Sequence, residues 1–125
     1  NNSLWRTGVF SPESELKNSI VAVVELDNKA IATSGTYRQR FNVGEVEYSH
    51  ILDSKTGWPV PYGVVSLSVL APTCALADGL ATGFLALGTK KSLEVANSLD
   101  GIDVFLIEDI GDGRFQTYFS SDWPR

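Results

Sequence analysis

The chain is short of the residues that usually announce a function. Among 125 residues there is one cysteine, one histidine and no methionine. A lone thiol, Cys74, excludes an internal disulfide. With so few His and Cys there is no cluster to hold zinc, so any cation would meet oxygen ligands and would be Mg²⁺ or Ca²⁺. No run of 18 apolar residues occurs, and no helix spanning a bilayer is expected in this chain. The Rossmann glycine pattern and the phosphate loop with its lysine are both missing. Basic residues are scarce as well, 10 Lys and Arg against 15 Asp and Glu, for a net charge of −5 and a pI near 4.7. That balance excludes a general binder of the nucleic-acid backbone. It leaves open a nucleotide held by a metal and backbone amides. Asn1 to Arg6 lacks signal-peptide anatomy. With no Met even at position 1, the chain is expected to be part of a longer protein.

What is present is globular. The composition is 43% hydrophobic and 20% charged, and the length suits one domain over residues 1–125. There are no repeats, low-complexity stretches or charge runs. Residues 1–18 read as irregular. Ser19–Leu26 and Lys29–Thr33 read as strands joined in a hairpin at Asp27-Asn28. Arg38–Val43 and Val46–Asp53 flank Gly44-Glu45 as a second hairpin. Ser54–Gly63 is a long loop with two prolines and two aromatics, a length often given to function. Val64–Leu70 alternates as a central strand. Thr73–Leu87 reads as a helix capped by Thr73 and ended by Gly88. Lys90–Leu99 is a second helix, capped by Thr89. Ile102–Glu108 and Arg114–Phe119 close the chain as a strand hairpin. The expected class is α+β: a mostly antiparallel sheet of six or seven strands with two consecutive helices on one face.

The chemistry centres on the first helix. Leu76, Leu80, Phe84 and Leu87 recur at helical spacing, and small apolar residues fill nearly every other side, so the helix is expected to be buried. Asp78 and Thr82 then project from one side of it. A buried carboxylate needs a partner. That partner is either a hard cation shared with Thr82 or loop N–H groups, with Thr82 bonded back to its own helix. Cys74 is expected as a small core residue. His50, the only histidine, stands near Ser49 and Asp53 at the mouth of the long loop and has the right nature for acid or base work. It can equally be a structural histidine on a backbone carbonyl. Ser34-Gly35 at a strand end can present N–H groups to an anion. Arg38 and Arg40 alternate on a strand and can meet phosphate or solvent.

Four blocks, in order, resemble one family: Ala32-Thr33-Ser34-Gly35-Thr36-Tyr37; Tyr48-Ser49-His50-Ile51-Leu52-Asp53-Ser54-Lys55-Thr56-Gly57-Trp58-Pro59-Val60; Val65–Cys74; and Ala77-Asp78-Gly79-Leu80-Ala81-Thr82. Together with Trp5-Arg6-Thr7-Gly8-Val9 they are similar to the C-terminal portion of the ApbE-type FAD:protein FMN transferases, formerly called thiamine-biosynthesis lipoproteins. The resemblance implies a bacterial, Mg²⁺-dependent enzyme. Such an enzyme cleaves FAD, moves FMN onto a Thr or Ser hydroxyl of an acceptor protein and releases AMP. The acceptor carries a Ser/Thr-Gly-Ala-Thr/Ser motif. By position Asp78 and Thr82 become the metal ligands, and Ser34, Gly35, Tyr37, His50, Ile51 and Thr56 lie along FAD. His50 or Asp53 manages the proton transfer.

The same resemblance implies a periplasmic location, anchored to the inner membrane as a lipoprotein through an N-terminal half absent from this chain. The family commonly has Asp where Thr36 stands and Pro where Ser54 stands. Three rival readings remain: a non-catalytic FAD- or nucleotide-binding module, a flavinylated acceptor, and a structural domain. The acceptor motif itself is missing, since Ala81-Thr82-Gly83 has the wrong order.

Overall fold

The computed structural model describes residues 4–12, 19–37, 39–61 and 63–124. The element that orders them is a strand buried along its whole length, Val64–Ala71. Its alternation, Val-Val-Ser-Leu-Ser-Val-Leu-Ala, supplies an apolar or small side chain to both faces, so both faces must be covered. In chain order the strands are β1 (Trp5–Phe10), β2 (Ile20–Leu26), β3 (Ala30–Gly35), β4 (Arg40–Val43), β5 (Val46–Ser49), β6 (Val64–Ala71), β7 (Asp103–Asp109) and β8 (Phe115–Phe119). The helices, α1 (Cys74–Leu87) and α2 (Thr89–Ala96), fall consecutively between β6 and β7. The class is α+β, as expected, with two consecutive helices.

The main sheet has the order β3-β6-β7-β8, every neighbour antiparallel. On one face Leu67, Val69, Val104 and Leu106 meet Ala77, Ala81, Phe84 and Leu85 of α1 and Ala96 of α2. Ser92 of α2 is buried and donates its hydroxyl to the Phe84 carbonyl at 2.6 Å, which fixes the two helices together. On the other face Val65, Leu70, Phe105 and Ile107 meet Val9 of β1, Val24 of β2 and Trp123. The Trp123 ring lies 5.5 Å from Phe105. The β1–β2 pair is therefore a third layer. Among the described residues no helix is long and apolar enough to cross a membrane.

Several expectations need correction. Among the described residues there are eight strands rather than six or seven, in three sheets rather than one. Trp5–Phe10 is a strand, not irregular chain. Only Val9 of it is buried, which left a weak signal. The described part of the segment otherwise includes Ser11, whose N–H donates to the Ser19 carbonyl at 2.9 Å. Residues 1–3 and 13–18 of that segment lie outside the described residues, as does Arg38. The first expected hairpin does not form: β2 pairs with β1, and β3 pairs with β6. Asp27-Asn28 instead carries the chain between layers, with Asn28 at φ 49°. The second hairpin does form, as β4–β5, turning on Gly44 at φ 64°. It carries a Phe41–Tyr48 ring pair at 5.7 Å and an Arg40–Glu47 ion pair at 2.9 Å, so Arg40 already has an acidic partner.

The helices also differ in detail. Thr73 caps α1 as expected, accepting from the Leu76 N–H at 3.3 Å. Thr89 is not a cap but the first residue of α2, and its hydroxyl donates to Glu108 at 3.0 Å. More important, α1 is not buried all round. The buried stripe is Ala77, Ala81, Phe84 and Leu85, while Leu76 is 44% and Leu87 42% exposed. Cys74 is exposed rather than a core residue. Small residues on every side looked like burial, yet only one side has a partner in this chain.

Ala77 and Ala81 have no accessible surface left, so they set how closely α1 lies on the sheet. Ala81→Leu is expected to destabilise the fold by about 1–3 kcal/mol through overpacking. A lowered midpoint in urea unfolding would bear this out, and an unchanged midpoint would refute it.

Candidate active site

The expected site residues are carried by three elements. Along β3 the side chains alternate, so Ser34 turns toward α1 while Thr33 and Gly35 turn toward β1. Thr33 meets Ser68 at 2.7 Å on that far side. Gly35 must be glycine: a Cβ there would lie 2.8 Å from the Tyr37 ring and 3.0 Å from the Val65 carbonyl. Gly35 and Tyr37 open onto a small cavity of about 270 Å³ shared with Gly8, Thr33 and Ser66. The structure thus separates Gly35 and Tyr37 from Ser34, which the sequence reading had grouped together.

Thr36 then closes the β3–β6 junction. It is buried, its N–H donates to Val65 O at 3.0 Å, and its hydroxyl donates to Val64 O at 3.3 Å. A neutral hydroxyl suits a position facing a carbonyl. An ionised carboxylate has no proton to donate there and would be costly to bury.

On the helix side, Ser34 Oγ lies 3.0 Å from Thr82 Oγ1. Thr82 thus reaches across to the sheet. Asp78, one turn earlier on the same side of α1, is exposed, not buried, and has no hydrogen bond or ion pair among the described residues. The premise of a buried carboxylate seeking a partner is overturned. What replaces it is an open carboxylate beside two hydroxyls. That set is all oxygen with one formal charge. It fits a hard cation that keeps waters or takes phosphate oxygens for its remaining positions. Among the described residues no group of three or more His, Cys, Asp or Glu side chains forms a self-sufficient metal site.

The third element is the loop after β5. His50 Nδ1 lies 3.0 Å from the Gln39 carbonyl. A carbonyl only accepts, so Nδ1 carries a proton, and in the neutral imidazole Nε2 keeps its lone pair. Asp53 folds the loop upon itself. Its Oδ1 accepts from the Lys55 N–H at 2.8 Å, its N–H donates to Trp58 O at 2.9 Å, and its carbonyl accepts from Gly57 N at 2.7 Å. Thr56 accepts from the Trp58 N–H at 3.2 Å. Asp53 and Thr56 are thus partly occupied in shaping the turn. Ile51 N donates to Ser49 Oγ at 3.0 Å, which aligns the exit of β5.

The loop and the helix enclose a cleft of about 640 Å³, lined by His50, Ile51, Asp53, Lys55, Thr82 and Gly83 among others. This cleft unites residues some thirty positions apart. Lys55 has no ion pair among the described residues, so a free ammonium stands at the cleft. Sequence reasoning had missed Lys55, Gly83 and Ala86 as lining residues. The available signal was the pair of glycines, Gly79 and Gly83, inside a helix. A Cβ at either would meet nothing within 4 Å, so packing inside this chain does not require them. A larger open groove of about 810 Å³ lies between the start of α2 and β8. It contains none of the expected site residues, and its Thr89 and Glu108 bond each other.

An antiparallel sheet with paired consecutive helices and a cleft beside them places the chain in the α+β class. Comparison narrows the class. The ApbE family model matches residues 1–106, and the chain belongs to the ApbE family. It is 38% identical to the FAD:protein FMN transferase of Salmonella typhimurium, over 94% of this chain and 35% of that protein. Among solved structures it is similar to the flavin transferase ApbE of Vibrio cholerae, with TM-score 0.74 and 39% identity, over 94% of this chain and 36% of the other. The apo flavinyl transferase ApbE of Pseudomonas stutzeri gives TM-score 0.76 and 33% identity, over 95% and 35%. The chain spans about a third of the length of these relatives.

Gly83 separates stability from ligand fit. Gly83→Ala is expected to stabilise the helix by up to about 1 kcal/mol. The added methyl also narrows the cleft, so a ligand lying against Gly83 is expected to bind more weakly. Thermal melting and flavin titration of the variant check the two halves, and unchanged flavin affinity would mean that no ligand lies against Gly83.

Proposed function

We propose that this chain forms part of a Mg²⁺-dependent FAD:protein FMN transferase, which moves FMN from FAD to a Thr or Ser hydroxyl and releases AMP. The observation that carries this reading is the cleft that joins His50 to Thr82, in a chain of the ApbE family. The acceptor is a protein segment bearing a Ser/Thr-Gly-Ala-Thr/Ser motif. A periplasmic, lipid-anchored location belongs to the same proposal and rests on family resemblance.

The residues divide the work. A Mg²⁺ ion, when bound, would neutralise charge developing on the diphosphate. Asp78 and Thr82 would hold it, since both offer oxygen and Asp78 has no other partner among the described residues. His50, with Nδ1 fixed on Gln39 O, keeps Nε2 free to take the proton from the acceptor hydroxyl as that oxygen attacks phosphorus. Asp53 is the less suited base, because Oδ1 is held by the Lys55 N–H. Its part is to shape the loop that presents Lys55. Ile51 and Gly83 offer the apolar and flat surface that a flavin or adenine ring needs.

The first test is AMP release from FAD with Mg²⁺ and an acceptor peptide carrying the motif, using the full-length protein. Turnover in the wild type that is lost in Asp78→Asn supports the proposal, and undiminished turnover in the variant sinks the metal assignment. FAD binding without AMP release would favour a non-catalytic binding module instead. His50→Gln is expected to slow transfer by about 10²–10⁴-fold, the usual contribution of a positioned base. Single-turnover transfer rates of the two proteins check the role, and an undiminished rate in His50→Gln would assign the base elsewhere.

A further inference from the structure

We infer that Ser34 is a positioning residue for the cation, acting through Thr82, rather than a contact of the flavin. The inference rests on the metal reading given above. The observation behind it is the 3.0 Å approach of the two hydroxyl oxygens, one from β3 and one from α1, 48 positions apart in sequence.

A threonine that ligates a metal through its hydroxyl gives up a lone pair. Its proton must then point elsewhere, toward an acceptor. In a helix the ready acceptor is the carbonyl four residues back. Here the partner of Thr82 among the described residues is instead Ser34 Oγ. Either hydroxyl can donate at this distance; with Thr82 as the donor its lone pairs would be fixed relative to Asp78, one turn along the same side of α1. Ser34 itself is half-buried and stands at the end of β3, where it is backed by the ladder to Leu67 and by the Thr36 clip on Val64 and Val65. It is thus the rigid member of the pair, and Thr82 is the one it orients. Residues that orient a ligand in this way typically change metal affinity by about 10- to 100-fold when removed.

The side chain of Ser34 is short and already engaged, which separates it from a flavin-contacting role. Two affinities therefore distinguish the two roles. Mn²⁺ is the probe for the metal, followed by the electron paramagnetic resonance of the free ion in titrations of the full-length protein with saturating FAD. FAD affinity without metal is read from quenching of flavin fluorescence.

Ser34→Ala is expected to weaken Mn²⁺ binding by about 10- to 100-fold, with metal-free FAD affinity unchanged. Ser34→Thr keeps the hydroxyl and is expected to retain Mn²⁺ affinity, which guards against a general effect of substitution on folding. Wild-type Mn²⁺ affinity in Ser34→Ala would overturn the inference. So would a loss confined to FAD affinity, which would return Ser34 to the flavin. Asp78→Asn serves as the reference. If it binds Mn²⁺ as the wild type does, the metal reading itself falls, and the fault lies there rather than with Ser34.

Discussion

The site depends on how closely α1 can lie against the sheet. Ala77 and Ala81 face the sheet with no surface left exposed, and Ala71 of β6 is likewise fully buried beneath the helix, with Ala32 of β3 packed against the same cluster. Single methyl groups on both sides bring the helix backbone near the strand. Only at that separation can two of the shortest polar side chains, Ser34 and Thr82, meet at 3.0 Å. A bulkier residue at the contact would hold the hydroxyls apart and leave each to water. The core thus fixes the site geometry through volume, before any polar interaction acts.

The same closeness explains the two-sided character of the helix. One stripe is packed with alanine, phenylalanine and leucine; the other shows Asp78, Gly79, Thr82 and Gly83 to solvent. Glycine inside a helix costs about 1 kcal/mol relative to alanine, and neither glycine relieves a clash within this chain. Gly83 faces the cleft that His50 and Lys55 line from the loop. Scaffold and site are therefore the two sides of one helix. The loop is made rigid by its own backbone bonds around Asp53 rather than by burial.

How much of this could be read from the sequence follows from which signals are local. Pro72-Thr73 and Gly88 bracket α1 by cap chemistry that needs no partner, and the structure places the helix at Cys74–Leu87. The β7–β8 pair and the Gly44 turn were legible for the same reason. Asp27-Asn28 failed because a turn signal reports a change of direction, not which strand comes next to which. Val24 needed cover from Val65 and Leu70, so β2 went to the far face, while Ala32 belonged with the helices. Burial of α1 was misjudged because small residues fit equally well in a core and on an open face that must admit a close neighbour. His50, Ile51, Asp53 and Thr82, drawn from two separate motif blocks, line one cleft. The blocks could not show the Ser34–Thr82 contact, a pairing set by strand register and helix packing, nor the diversion of Gly35 and Tyr37 to the other side of the sheet.

Charge adds a further constraint. The chain carries a net charge of −5, and Asp78 stands exposed one helical turn from Thr82, which lines the cleft, without a basic partner among the described residues. A diphosphate entering that cleft would meet a carboxylate of like sign. Two unit charges 4 Å apart at an effective dielectric of about 20 interact by about 4 kcal/mol, and at an exposed carboxylate such as Asp78 solvent and salt reduce the repulsion below that. Lys55 offsets part of this but stands on the loop side. A cation, held by Asp78 and Thr82 as proposed, would supply the positive charge that the helix side lacks. On the proposed reading, then, Asp78 makes metal and diphosphate binding mutually dependent: each is weak alone, and the pair is held. Binding of this kind is reciprocal by linkage: the factor by which the cation would tighten the diphosphate is the factor by which the diphosphate would tighten the cation.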